Sequence, residues 1–147
     1  MDVKIKRLNE NAVIPTHGSE YAAGYDIYAC MDANEALIIK PHQTAKVNTG
    51  LSVSIPEGYF GAIFARSGVA TKRGLRPANC VGVVDADYRG EIIVALHNDS
   101  DLEQLIVGGE LIAQLVVMPF LSIEFTEVEE LDNTERGTGG FGSTGTM

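Results

Sequence analysis

The stretch Gly82-Val83-Val84-Asp85-Ala86-Asp87-Tyr88-Arg89-Gly90-Glu91 sets the reading of this chain. An apolar run ends at a carboxylate. A second carboxylate, an aromatic ring and a Gly turn follow, and Ile92-Ile93-Val94-Ala95-Leu96 then resumes the apolar run. Apolar run, turn residues, apolar run is the pattern of a β-hairpin. Asp and Gly at a tip serve turn geometry by themselves. This tip also carries a carboxylate able to act as a base, Asp85, and a ring able to stack on a flat ligand, Tyr88. The expectation is a hairpin that forms an active-site floor.

The same grammar extends on both sides. Toward the N-terminus, strands are expected over Val3–Lys6, Tyr21–Ala29, Ala36–Lys40, Ala45–Asn48, Leu51–Ile55 and Tyr59–Phe64. Toward the C-terminus they are expected over Gln104–Val107 and Leu111–Val117, around the tight-turn signal Gly108-Gly109, and over the alternating Ser122–Thr126. Ser67–Arg73 is the only plausible helix, stopped by Gly74. Many short strands with turn signals every 8–12 residues predict an all-β sandwich or barrel. No helical period is long enough for a βαβ unit. From Asp132 to Met147 only a Gly-rich tail remains, so a β domain over 1–131 and a flexible arm over 132–147 are expected.

At 147 residues, 45% of them hydrophobic, the chain can bury a core without disulfides. Cys30 and Cys80 have neither framework nor metal spacing and read as free buried thiols of a cytoplasmic protein. No apolar run approaches the roughly 20 residues of a membrane helix, and the N-terminus lacks the apolar core of a signal peptide. The formal charge of -9 argues against general nucleic-acid binding. Arg66, Lys72, Arg73 and Arg76 nonetheless fall in eleven residues without an acid, which suits a small anion if it is more than solubility and chance. His17, His42 and His97 lack ligand spacing and read as structural or surface residues. Asp85, Asp87 and Glu91 fail the calcium-loop pattern.

Four further stretches could carry chemistry. In Arg136-Gly137-Thr138-Gly139-Gly140-Phe141-Gly142-Ser143-Thr144-Gly145, the glycines match a dinucleotide fingerprint only formally, because no strand precedes them and no helix follows. Converging backbone N–H groups, two hydroxyls and an arginine still suit phosphate. By composition alone the stretch is a disordered tail. Ala65-Arg66-Ser67-Gly68-Val69-Ala70 stands at a strand-to-helix junction, where Arg and Ser make a phosphate cradle or Ser67 simply caps the helix. Asp26, in an apolar strand, faces outward, or else inward where it must be paired or near a metal. Gln114 raises the same question in Leu111–Val117, where a lone amide usually satisfies a backbone group.

In order along the chain, Ala23-Gly24-Tyr25-Asp26-Ile27-Tyr28-Ala29, Arg66-Ser67-Gly68-Val69-Ala70, Gly82–Glu91, Ile112-Ala113-Gln114-Leu115 and Arg136–Gly145 resemble the five motifs of the trimeric dUTP diphosphatases (dUTPases). The resemblance spans nearly the whole chain. It implies a jelly-roll-like β-barrel subunit of the β-clip type and a homotrimer with three shared active sites. One subunit would supply the first, second and fourth motifs, its neighbour the third, and the last its tail as a lid. The implied reaction is dUTP plus water to dUMP plus pyrophosphate, with Mg²⁺ on the triphosphate. It keeps uracil out of DNA and supplies dUMP for dTMP synthesis.

The resemblance implies roles by position. Asp85 would orient and deprotonate the attacking water. Tyr88 would lie beneath the deoxyribose, where a 2′-hydroxyl clashes. Backbone groups of Val81, Gly82 and Val83, with the Asn79 amide, would read uracil. Arg66, Ser67, Gly68 and Gln114 would hold phosphates, and Asp26 would reach the metal through water. Phe141 would cover the base, with Gly142 beside it, while Arg136, Ser143 and Thr144 clamp phosphates. Ala65 stands where the family often has Pro, and Leu111 where it often has Arg; the second departure removes a charge. A carboxylate is a weak base at neutral pH. Its proton abstraction contributes ~10²–10⁴-fold, so positioning and charge must supply the rest. The alternatives are a related dCTP deaminase on the same fold, which would need a hydrolytic Glu, and a non-catalytic dUTP-binding regulatory module.

Overall fold

The computed structural model describes residues 1–145; the last two residues of the arm expected over 132–147 lie outside the described part. In chain order the elements are β1 (Lys4–Arg7), β2 (Tyr25–Tyr28), β3 (Ala36–Ile39), β4 (Thr44–Asn48), β5 (Leu51–Ser54), β6 (Tyr59–Phe64), α1 (Ser67–Arg73), β7 (Leu75–Pro77), β8 (Gly82–Val84), β9 (Ile93–Asn98), β10 (Gln104–Val107) and β11 (Leu111–Pro119). The strands form four antiparallel sheets, ordered β1-β5, β10-β3, β2-β11-β6-β8 and β4-β9-β7.

None of these strands pairs with the strand next to it in sequence. The hairpin expected over 82–91 is therefore not one. β8 pairs with β6, through Gly82↔Ile63 and Gly61↔Val84. β9 pairs with β4 on one side and β7 on the other. The intervening turn carries the chain from one sheet to another. Gly108-Gly109 does make a tight turn, with the Glu110 N–H on the Val107 carbonyl at 3.2 Å, yet β10 pairs with β3 while β11 pairs with β2 and β6. Turn chemistry closes the chain locally. The partner of each strand follows from which buried faces can meet.

In β3, β4 and β9 those faces alternate with the period of two expected of strands packed on one side, whereas β5 and β6 are each buried over three successive residues. Val94, Leu96 and Asn98 of β9 point inward, and Ile93 outward. Ile27, Ile39, Leu75, Leu96, Ile106 and Ile112 are among the fully buried side chains at the centre. Asn98 is buried with them because all its groups are used. Its Nδ2 donates to the Ile39 and Leu102 carbonyls, and its Oδ1 accepts from the Ser100 N–H and hydroxyl. The helix lies where the sequence predicts it and ends at Gly74, whose φ of 68° and N–H bonds to Ala70 and Val69 form a left-handed cap.

Two expectations about strand extent fail. The strand expected over Tyr21–Ala29 shortens to β2, because Ser19–Ala22 forms a turn and Asp26 instead bridges to Thr16. Ser122–Thr126 is not a strand. The chain leaves the sheets at Pro119, and Leu121, Ile123 and Phe125 are exposed. Their alternation is real, but no described strand edge pairs with it.

Candidate active site

Cross-strand register places the side chains of Asp26, Gln114 and Phe64 in one row across β2, β11 and β6. Asp26 is only 8% exposed, and its Oδ1 is buried without a hydrogen bond. Arg66 brings its Nε to 3.3 Å from that oxygen. Asp26 is thus the paired carboxylate of the two readings, not the outward one. The Gln114 amide donates to the Ala65 carbonyl at 2.8 Å, fixing the chain just before Arg66. Gly24 makes room for this amide, since a Cβ there would strike Gln114 Oε1. The first, second and fourth sequence motifs are therefore assembled in one place.

Ser67 does not cap the helix. The cap position is Arg66, with extended backbone and no side-chain cap bond, and the first turn carries no acid. A Cβ on Gly68 would meet nothing within 4 Å. The space in front of Gly68 is open to a ligand. The wider basic patch, however, is largely spent within the chain. Arg73 is bound to Glu110, Gln104 and the Leu105 carbonyl. Arg76 holds Asp99 through two bonds of 2.6 and 3.2 Å. Arg76 keeps the Asp99 carboxyl below its ordinary range. The helix end and the strand after it need these arginines, which leaves Arg66 facing the cluster. Glu110 finds its cation in Arg73, although Leu111 beside it supplies none.

A second cavity of about 250 Å³ is lined by Asn79, Gly82, Val83, Asp85 and Tyr88, with Ile63 in its wall. That volume is just under the usual range of pockets for whole ligands, so it suits the nucleoside part of a nucleotide. Asp85 is exposed on the turn, and its carbonyl accepts the Tyr88 N–H at 3.1 Å. The Tyr88 hydroxyl donates to the Glu91 carbonyl at 2.9 Å. The loop before β8 is tightly curled: the Val81 N–H donates to the Asn79 carbonyl at 2.7 Å, and Cys80 has a φ of 63°. Cys80 is exposed, against the expectation of two buried thiols. Cys30 is buried, and burial, with the Glu91 and Asp32 carboxylates, pushes its thiol up.

No local pattern announces the brace beneath this turn. Glu91 accepts the Gly50 N–H at 2.8 Å and the Asn48 amide at 2.9 Å. The buried Thr49 hydroxyl donates to the Ile92 carbonyl at 2.6 Å, the Ile92 N–H to the Leu51 carbonyl at 2.8 Å, and the Ser52 hydroxyl to the Arg89 carbonyl at 2.7 Å. Glu91 is thus a clamp within its own chain. Gly50, with φ 67° and Cys30 Sγ close by, turns the opposing corner. The acid after Gly90 and the Thr49-Gly50 step were the available signals, but nothing local joins them. A larger cavity, about 690 Å³, lies on the far side of this brace between Leu8, Cys30, Glu35, Lys46 and Glu91 and touches none of the expected site residues.

The C-terminal stretch does not meet either cluster. Arg136 donates to the Gly139 carbonyl at 2.8 Å, Ser143 to the Gly140 carbonyl through its N–H, and Gly145 to Gly142. Phe141, at φ 50°, is fully exposed, and Ser143 and Thr144 are exposed beside it. Among the described residues no group of three or more His, Cys, Asp or Glu could hold a metal ion. No helix among them is long and apolar enough to cross a membrane.

The family model described as dUTPase matches residues 10–145. A deoxyuridine 5'-triphosphate nucleotidohydrolase of Hydrogenobaculum sp. is 45% identical over 145 residues, with 99% of each chain covered. That of Nautilia profundicola is 47% identical over 145 residues, again with 99% of each covered. Among solved structures, a mutant dUTPase of Staphylococcus bacteriophage 80alpha with dUpNHpp superposes with a TM-score of 0.85 at 32% identity, covering 99% of both chains.

Proposed function

The chain belongs to the dUTPase family and hydrolyses dUTP, and on that premise we propose how its residues divide the work. The turn between β8 and β9 holds the nucleoside and the water. Backbone groups of Val81, Gly82 and Val83, with the Asn79 amide, read uracil. Tyr88 lies under the deoxyribose. Asp85 orients a water and takes its proton as the water oxygen attacks the α-phosphorus; diphosphate leaves and dUMP remains. Arg66, Ser67, Gly68 and Gln114 hold the phosphates, and Gln114 also fixes Arg66 through the Ala65 carbonyl. Arg136, Ser143 and Thr144 close on the phosphates, with Phe141 and Gly142 over the base, which excludes water at an entropic cost.

The donor set fits Mg²⁺. That ion keeps most of its water and uses one or two carboxylates plus substrate phosphates, not a protein cage. Here there is no cage among the described residues, but one carboxylate oxygen, Asp26 Oδ1, lacks a hydrogen bond beside the phosphate-binding arginine. Asp26 would reach the ion through water. When bound, the ion screens the triphosphate charge, which a chain of net charge -9 needs.

We assign the active unit to a homotrimer of jelly-roll-like barrels with shared sites and a Gly-rich arm. One observation carries this reading. The cluster of Asp26, Arg66 and Gln114 shares no residue with the lining of the nucleoside cavity. One chain therefore holds the two halves of a nucleotide site as separate clusters. Pairing each half with the complementary half of a neighbour completes the site. The unpaired apolar arm after Pro119 and the exposed tail suit the same arrangement.

The test is complementation. Asp85→Asn is expected to keep dUTP binding within a few-fold and to lower kcat by about a hundredfold or more. Arg66→Ala should weaken substrate binding. Refolding the two variants together should restore pyrophosphate release above either alone, because some sites then draw Asp85 and Arg66 from different intact donors. No recovery on mixing would place each site within one chain. Running dUTP, dCTP, dTTP and UTP with and without Mg²⁺ reads base, sugar and metal requirements in the same assay.

A further inference from the structure

We propose that Gly90 and Glu91 are positioning residues for sugar selection, acting through the ring of Tyr88; this rests on Tyr88 being the surface beneath the deoxyribose. A Cβ built on Gly90 has the Tyr88 ring as its three nearest neighbours, including Cζ at 2.5 Å and Cε2 at 2.9 Å, with the hydroxyl oxygen closer still. The tip of the ring therefore lies against a backbone that has no side chain. Gly90 is not among the positive-φ residues, so its own conformation does not demand glycine. What demands it is the ring.

The backbone cannot yield in place of the ring. On one side of Gly90 the Arg89 carbonyl is held by Ser52. On the other, Glu91 is held by the Gly50 N–H and the Asn48 amide, and Ile92 by Leu51 and Thr49. The Tyr88 side chain has only its hydroxyl bond to the Glu91 carbonyl. An added methyl is thus accommodated by swinging the ring tip, a small cost for a side chain 45% exposed. Asp85 keeps its turn, since the Tyr88 N–H still meets its carbonyl. The ring loses its seat and its bond together, and a ring without a fixed position no longer bars a 2′-hydroxyl. Glu91 serves the same end from the other side, because its clamped carboxylate fixes the carbonyl that receives the Tyr88 hydroxyl.

The experiment is the ratio of kcat/KM for dUTP to that for UTP, measured on the full chain. Tyr88→Ala tests the underlying reading and should collapse the ratio. Gly90→Ala should lower it by about tenfold or more, the scale of discrimination that one misplaced group in a fitted pocket loses. In the Tyr88→Ala background, Gly90→Ala should do nothing further, which a general loosening of the turn would not reproduce. Glu91→Ala should lower the ratio and Glu91→Gln, which keeps an acceptor, should restore part of it; this pair decides the matter if Gly90→Ala yields no folded protein. An unchanged ratio in Tyr88→Ala overturns both readings. A collapsed ratio there, with Gly90→Ala and Glu91→Ala unchanged, overturns this one alone.

Discussion

A buried carboxylate oxygen without a hydrogen bond needs a cation beside it, and Asp26 has Arg66 at 3.3 Å. Arg66→Ala removes that cation and should destabilise the fold by about 1–3 kcal/mol, toward the lower end because the arginine is itself 38% exposed. It should also raise KM for dUTP. The two effects separate in a second variant: adding Asp26→Asn to Arg66→Ala should recover thermal stability and leave KM high. Recovery of both would make Arg66 a purely structural partner of Asp26. Asp26 and Gln114 were legible in the sequence because a polar residue in an apolar strand stands out. The space Gly24 yields to Gln114, and the clamp of Glu91 on Gly50, were not. Each joins residues far apart in the chain, and neither glycine differs locally from any turn glycine.

Between elements, the pair Arg76–Asp99 ties β7 to the turn after β9, with His97 beside it at 3.6 Å from Asp99. Arg76 holds the Asp99 carboxyl below its ordinary range, chiefly through its hydrogen bond. A carboxylate with a lowered folded pKa stabilises above its unfolded value, about 4, and that contribution fades as pH falls through the folded value. Asp99→Asn should therefore lower the Tm near neutral pH, and the gap to the parent should close on acidification. A gap that widens in acid would reverse the sign assigned to this pair. The helix and most strand positions were readable because they depend on local composition: Ser67–Arg73 ends at a glycine, and strands such as β3, β4 and β9 alternate. The hairpin expected over 82–91 does not form because β8 and β9 look like partners only along the chain. Ile63 on one side and Leu96 on the other belong to different sheets, and the turn has to bridge them.

For the whole molecule, pairing among the described strands is between strands that are not neighbours in sequence, and it leaves residues 120–145 with no strand partner. Leu121, Ile123, Phe125 and Leu131 are exposed one after another, more apolar surface than a solitary arm retains without a use. The proposed trimer gives this stretch and the glycine-rich tail separate duties. The apolar arm would seat on a neighbour, and the tail beyond it would cover substrate without adding to assembly. Deleting residues 135–147 should then lower dUTP turnover by about a hundredfold or more, the scale of lost preorganised phosphate contacts, while sedimentation still reports the parent oligomer. Changing Leu121 and Phe125 to Ser with the tail intact should do the reverse at low protein concentration: dissociate the oligomer first, with activity falling in step, as the proposed shared sites require. Dissociation of the truncated protein would assign the contact to the tail. An active monomer of the Leu121/Phe125 variant would end the shared-site reading altogether, because the two separate clusters of one chain would then have to serve one substrate without a neighbour.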